Sequence, residues 1–176
     1  MQFFPLAIPG CYRIEPTPVT DERGSFVRTW CADEFASRGL CSQFAQTSLS
    51  CNTHCGTLRG MHYQRAPYDE AKLVRCTRGA IYDVLLDLRA GSPTRGRWIA
   101  EVLTAENRCQ LYVPEGVAHG FQTLEADSEV LYMISTPYCA EAAGGARWDD
   151  PGFGIAWPAA ERTMSNRDRS FPDFTW

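Results

Sequence analysis

The sequence has no block of lysine and arginine, no apolar run of membrane-spanning length, and only three histidines among 176 residues. Each shortage excludes something. The 17 basic residues are scattered among 21 acidic ones, for a formal net charge of -4, so the continuous positive face of a general nucleic-acid binder is missing. A bilayer-spanning helix needs about 20 consecutive apolar residues, which argues against membrane association. The opening stretch Met-Gln-Phe-Phe-Pro-Leu-Ala-Ile-Pro-Gly is apolar but short, lacks a basic residue and is broken by Pro5 and Pro9. It is a poor signal peptide.

Cysteine, in contrast, is plentiful: eight residues, at positions 11, 31, 41, 51, 55, 76, 109 and 139. In a secreted chain they would suggest a disulfide framework. Without a secretory signal the expectation is reduced thiols in a cytoplasmic protein. At 44% hydrophobic content the chain is the size of one ordinary domain that buries a core without disulfides or metal, so residues 1–176 are expected to form a single domain.

Helical periodicity is also scarce. Ala32-Asp33-Glu34-Phe35-Ala36-Ser37-Arg38 reads as a helix stopped by Gly39, a suitable C-terminal cap. Elsewhere 14 glycines and 11 prolines punctuate segments of period-two alternation rich in β-branched and aromatic residues, the pattern of strands. Residues 81–88, 98–103, 109–113 and 129–135 are the clearest, and 56–64 and 70–74 also read as strands. Many short strands separated by turns predict an all-β sandwich, jelly roll or barrel, whose closure protects strand edges. From about 140 to 176 the pattern is lost, and an irregular tail lying against the barrel is expected.

The chemistry concentrates in Gly56-Thr57-Leu58-Arg59-Gly60-Met61-His62-Tyr63-Gln64 and in Lys72, ten residues beyond His62. A fixed cation beside a proton acceptor suits a base whose product is a carbanion or enolate, and the same cations suit a phosphate. Arg59 and His62 point to opposite sides of a regular strand unless a bulge near Gly60 turns them together. His119, in Pro114-Glu115-Gly116-Val117-Ala118-His119-Gly120-Phe121, lies at a turn followed by a strand start, where it either contacts ligand or caps a barrel mouth. His54 lies in Cys51-Asn52-Thr53-His54-Cys55 but lacks the second ligand pair of a structural zinc site. Paired histidines on separate strands also fit a metal-binding cupin; the single histidine where such sites carry His-x-His speaks against a metal. Tyr132, bracketed by Leu131 and Met133 in a strand, is either packing or a general acid, since a phenol of pKa about 10 is protonated at neutral pH. Asp168, in Ser165-Asn166-Arg167-Asp168, is either a solvated charge or a carboxylate that folds back to orient His62.

Together these segments resemble the nucleotide-sugar 3,5-epimerases of the rhamnose pathway. The likeness runs in order through Asp21-Glu22-Arg23-Gly24-Ser25-Phe26, Leu58-Arg59-Gly60-Met61-His62-Tyr63-Gln64, Lys72-Leu73-Val74, Asp83-Val84 with Asp87-Leu88-Arg89, Ser92-Pro93-Thr94, the His119 segment, Tyr132, Trp157-Pro158 and Asp168. The resemblance implies a cupin-like jelly-roll barrel with a few short helices, metal-free and without a cofactor. It implies a homodimer in which the N-terminal segment, about 1–30, is exchanged so that Arg23 and Phe26 reach the partner's nucleotide. It also implies roles on a nucleotide-diphosphate 4-keto sugar. His62, held by Asp168, removes the proton on C3 or C5. Lys72 stabilises the enolate, with Asp83 behind it, and Tyr132 returns a proton on the opposite face. Arg59 and His119 hold the diphosphate, and Tyr138 lines the sugar pocket.

Departures bear on the nucleotide. Relatives that take thymidine usually carry Glu where this chain has Arg28, Asn where it has Ser48 beyond Gln46, and Lys where it has Met133. An arginine only donates hydrogen bonds, so Arg28 suits a base that presents an acceptor, as in a CDP- or GDP-linked sugar; alternatively it turns to a phosphate or to solvent and dTDP remains the ligand. Three other readings stay open: an epimerase acting at C3 or C5 alone, a metal-dependent cupin isomerase or dioxygenase, and a non-catalytic sugar-binding barrel.

Overall fold

Alternation of inward and outward side chains builds this molecule, seen here in a computed structural model that describes residues 1–175. In chain order the elements are β1 (Gln2–Pro5), β2 (Tyr12–Glu15), β3 (Pro18–Asp21), β4 (Gly24–Val27), α1 (Ala32–Ala36), β5 (Gln46–Asn52), β6 (Leu58–Gln64), β7 (Lys72–Arg78), β8 (Ala80–Asp87), β9 (Trp98–Thr104), β10 (Gln110–Val113), β11 (Val117–Thr123), β12 (Ser128–Ile134), β13 (Ala143–Gly145) and α2 (Asn166–Arg169). Two sheets face each other. One has the order β1-β2-β10-β7-β12-β5 and the other β13-β6-β11-β8-β9, while β3 and β4 form a separate hairpin. Neighbours within each sheet are antiparallel and, apart from β1-β2 and β8-β9, jump in sequence, giving the cupin-like jelly roll expected for the all-β chain.

The interior forms where inward positions are apolar. Val74 and Cys76 on β7, Ile81 and Leu85 on β8, Leu111 and Val113 on β10, Phe121 on β11 and Val130 on β12 pack in one cluster between the sheets. Each fully buried Val, Leu, Ile or Phe among them contributes roughly 1.5–3 kcal/mol. The intervening residues of the five-stranded sheet face outward without meeting solvent: Met61, Val84, Leu86 and Ala118 lie under Phe153, Ile155 and Trp157 of the C-terminal stretch. This explains why β8 reads as an almost continuous apolar run, because both its faces are covered.

The expected strands at 81–88, 98–103, 109–113 and 129–135 appear with shifts of a residue at their ends. The helix is shorter than the expected 32–38, ending at Ala36, with Gly39 at φ +69 beyond it. The tail is less irregular than expected, because β13 pairs with β6 and α2 docks beside it. The N-terminal segment divides. Residues 2–15 belong to the chain's own six-stranded sheet, whereas every residue of β3 and most of β4 are exposed. All eight cysteines are free thiols.

Candidate active site

At one end of the sandwich the inward positions turn polar. Gln46, Ser48 and Ser50 of β5 face Ile134, Tyr132 and Val130 of β12 across the ladder, and Tyr132 and Ile134 in turn face Val74 and Lys72 of β7. From the opposite sheet come Arg59, His62 and Gln64 of β6 and His119 of β11. With the exception of Val74 and Val130, these side chains line an open cavity of about 320 Å3.

Arg59 and His62 share this cavity because β6 carries a bulge. His62 faces His119 while Arg59 faces Phe121, so three steps along β6 match two along β11. The extra residue restores the inward direction. Gly60 has φ +133, and a Cβ there would lie 2.5 Å from the Gly120 Cα; only glycine allows the strands to meet at the bulge.

The His62 Nε2 lies 2.7 Å from the Asp168 Oδ1, and the Gly60 amide donates to the other carboxylate oxygen at 3.4 Å. Ser165 caps α2 by accepting from the Asp168 amide, which fixes the carboxylate. Burial alone would raise the Asp168 carboxyl, but hydrogen bonding and charge pairing with His62, with help from Gly60 and Ser165, hold it below the usual carboxylate range. The His62 side chain is 40% exposed and its Asp168 partner 6%. With Nε2 facing Asp168, Nδ1 has no partner among the described residues.

A second histidine–carboxylate pair lies deeper. His119 Nε2 is 2.9 Å from both oxygens of Asp83, and the two side chains are 4% and 0% exposed. Here burial wins: the Asp83 carboxyl is raised, with His119 and then Lys72 pulling it partly back. Tyr132 stands edge-on to the His119 ring, with centroids 5.8 Å apart. Its phenol is raised well above the usual value, by burial first and by the Asp83 charge second, against an opposing pull from Arg59. It is therefore held in the protonated form.

Lys72 differs from expectation in its partner. The carboxylate that touches its Nζ is Glu70, at 2.9 Å, and the ammonium also donates to the His62 carbonyl at 3.2 Å. Asp83 acts on Lys72 only through its charge, because its hydrogen bonds go to His119. Arg59 is steadied by Nε donating to Asn52 Oδ1 at 2.8 Å.

The remaining expected residues divide by location. Gln46, Ser48 and Tyr138 line the cavity, and Gln46 accepts from the Tyr138 amide. Arg23 and Phe26 do not reach the cavity of their own chain. They sit on the β3–β4 hairpin, where Arg23 pairs with Asp21 and Phe26 is 75% exposed. Arg28 is likewise outside, with its guanidinium 3.6 Å from Glu34. Glu70, Asn52, Tyr63 and Arg167 belong to the site but escaped the sequence reading. Glu70 had a signal, since residues two apart in an extended segment share a face. Arg167 had none beyond its place next to Asp168.

Comparison with known proteins gives a consistent result. The family profile described as dTDP-4-dehydrorhamnose 3,5-epimerase matches residues 5–175. A dTDP-4-dehydrorhamnose 3,5-epimerase of Sinorhizobium fredii is 43% identical over 177 residues, covering 98% of this chain and 89% of the relative. Among solved structures, the dTDP-6-deoxy-D-glucose-3,5-epimerase of Legionella pneumophila in complex with dTDP-4-keto-L-rhamnose superposes with a TM-score of 0.89 at 34% identity, covering 95% of this chain and 89% of that one. A 3'-monoepimerase from Streptomyces bikiniensis in complex with dTDP-quinovose also reaches 0.89, at 35% identity and with 96% and 85% of the two chains covered.

Proposed function

The chain belongs to the dTDP-4-dehydrorhamnose 3,5-epimerase family, and we propose that it inverts C3 and C5 of a dTDP-linked 4-keto-6-deoxyhexose by removing a proton from one face and returning one to the other. The observation that carries this reading is the convergence of an Asp-held imidazole, a half-buried protonated phenol and a lysine ammonium on one cavity. The ketone at C4 makes the neighbouring C–H bonds acidic, and His62 takes a proton through its free Nδ1. Asp168 orients the ring and stabilises the charge it gains. The C4 oxygen becomes an enolate, which the Lys72 ammonium meets as a fixed charge in a largely desolvated place. Tyr132 delivers its proton to the carbon, and the nearby Arg59 charge eases the phenolate that remains. Half-exposed His62 then gives its proton to water and the Tyr132 phenolate, which lines the open cavity, takes one back, so that base and acid are both reset for the second carbon. Arg59 and Arg167 have no carboxylate partner among the described residues, and with His119 they supply donors for the diphosphate.

The exposed hairpin supports a homodimer. Val19 and Phe26 are 70% and 75% exposed, so in a pair of chains this arm is free to bring Arg23 and Phe26 to the partner's nucleotide. A cytoplasmic location agrees with eight unpaired thiols. Arg28, engaged with Glu34, leaves dTDP as the expected nucleotide, and calorimetric titration with dTDP, CDP and GDP tests this; tighter binding of CDP or GDP would overturn it. Incubation with dTDP-4-keto-6-deoxyglucose, followed by NMR of the sugar ring, tests the reaction. The expected product has both centres inverted, and unchanged substrate defeats the proposal. Similarity to a 3'-monoepimerase favours a second reading, inversion of one centre only, which the same spectrum separates.

A further inference from the structure

Glu70 is a buried carboxylate in the cavity wall to which the proposed chemistry gives no task. Its side chain is 10% exposed, that of Lys72 is 7% exposed, and Oε1 lies 2.9 Å from Nζ. An ammonium has three N–H donors. In Lys72 one goes to Glu70 and one to the His62 carbonyl, which leaves the third for the cavity.

The backbone that presents Glu70 is pinned on both sides. Before it, the Thr136 hydroxyl donates to the Asp69 carbonyl at 2.7 Å; after it, the Ala71 amide donates to the Ser135 hydroxyl at 2.8 Å and the Ala71 carbonyl accepts from the Ser135 amide at 3.0 Å. These anchors lie just beyond the end of β12, the strand that carries Tyr132. The segment ahead of β7 is thus fixed to the strand bearing the acid, and Glu70 carries that placement to the lysine. A flexible four-carbon stem does not hold an ammonium in one direction by itself.

We propose that Glu70 is a positioning residue for catalysis: it tethers the Lys72 ammonium so that its remaining N–H points at the ketone oxygen of the bound sugar. The inference rests on the epimerase reading of this cavity. Glu70 acts through Lys72 and leaves binding of the nucleotide diphosphate, at the arginine side of the cavity, unaffected.

A double-mutant cycle tests this, with kcat and KM measured on dTDP-4-keto-6-deoxyglucose, dTDP affinity by calorimetry, and folding checked by thermal melting. Glu70→Ala is expected to lower kcat by about a hundredfold, the scale of a misplaced catalytic group, at unchanged dTDP affinity. Glu70→Gln, which keeps an acceptor, recovers part of the loss and carries the test if Glu70→Ala melts too low to assay. The double variant Glu70→Ala/Lys72→Ala is expected to turn over no more slowly than Lys72→Ala alone, because Glu70 has nothing left to position. A merely structural carboxylate would lower the melting temperature while leaving kcat of the folded protein intact, and that result overturns the proposal. Losses that multiply in the double variant also overturn it. Wild-type kcat in Lys72→Ala would instead overturn the role of Lys72 in the proposed reaction, and this inference with it.

Discussion

The histidines of the His62–Asp168 and His119–Asp83 pairs line one cavity and face each other across the β6–β11 ladder. The first pair takes its carboxylate from the C-terminal tail and leaves its histidine 40% exposed; the second takes it from a core strand, and its side chains are 4% and 0% exposed. In the first, hydrogen bonds overcome burial and the carboxyl is lowered. In the second, burial overcomes the hydrogen bonds and the carboxyl is raised. Under the proposed reaction this difference divides the work. A base that serves two carbons in succession must shed its proton to water, which the exposed pair can do. The sealed pair holds a fixed donor beside Tyr132 and sets the charge around the phenol.

The comparison breaks most sharply at His62. His62→Ala is expected to lower turnover by about 10²–10⁴-fold, the usual contribution of a positioned base, with dTDP affinity by calorimetry unchanged. If His119→Ala instead caused the larger loss of kcat, the two pairs would have been assigned in reverse. Asp168→Asn keeps the size of the group but weakens orientation of the ring, and a fall in kcat of about a hundredfold is expected in steady-state assays.

Acid titration sharpens the contrast with opposite signs. Asp168 is lowered in the folded state, so its contribution to stability is present above the unfolded carboxylate value of about 4 and is lost as pH falls through the folded value. Asp83 is raised, so its contribution is fully present below about pH 4 and is lost as pH rises through the folded value. Melting curves against pH should therefore show the advantage of wild type over Asp168→Asn shrinking toward low pH. Relative to Asp83→Asn, wild type should lose ground as pH rises. Parallel curves for the two variants would remove the electrostatic distinction. The smallest expected effect is that of a chelator: with the ketone as electron sink, turnover after EDTA treatment should be unchanged.

Much of the site was legible where neighbouring residues in sequence remain neighbours in the fold. Arg59, Gly60 and His62 share one strand, and the glycine announced the bulge that turns the two side chains together. Tyr132 was readable from alternation. The Asp168 contact spans 106 residues; the residues alone left it open between a solvated charge and a partner of His62, and only the resemblance favoured the partner, since a carboxylate in a tail has no periodicity to place it. Asp83 was legible in part: alternation turns it inward and its charge does act on Lys72, but only the β8–β11 register shows that its hydrogen bonds go to His119. The strands missed, β1 to β5 and β13, are mostly short or interrupted by proline and glycine, and their pairing partners lie far along the chain or in the hairpin turn. Arg23 and Phe26, expected to serve a partner's nucleotide, lie outside their own chain's cavity on a hairpin whose direction follows no local rule, and Arg28 lies outside it beside Glu34.

A base and an acid on opposite faces of one sugar are separable in heavy water. With dTDP-4-keto-6-deoxyglucose in D2O, Tyr132→Phe retains the base and loses the acid, so the recovered substrate should carry deuterium beside the ketone without inversion, while His62→Ala should show neither deuterium nor inversion. Deuterium uptake at the wild-type rate in His62→Ala, or inverted product at the wild-type rate from Tyr132→Phe, would contradict the division of labour between the two residues.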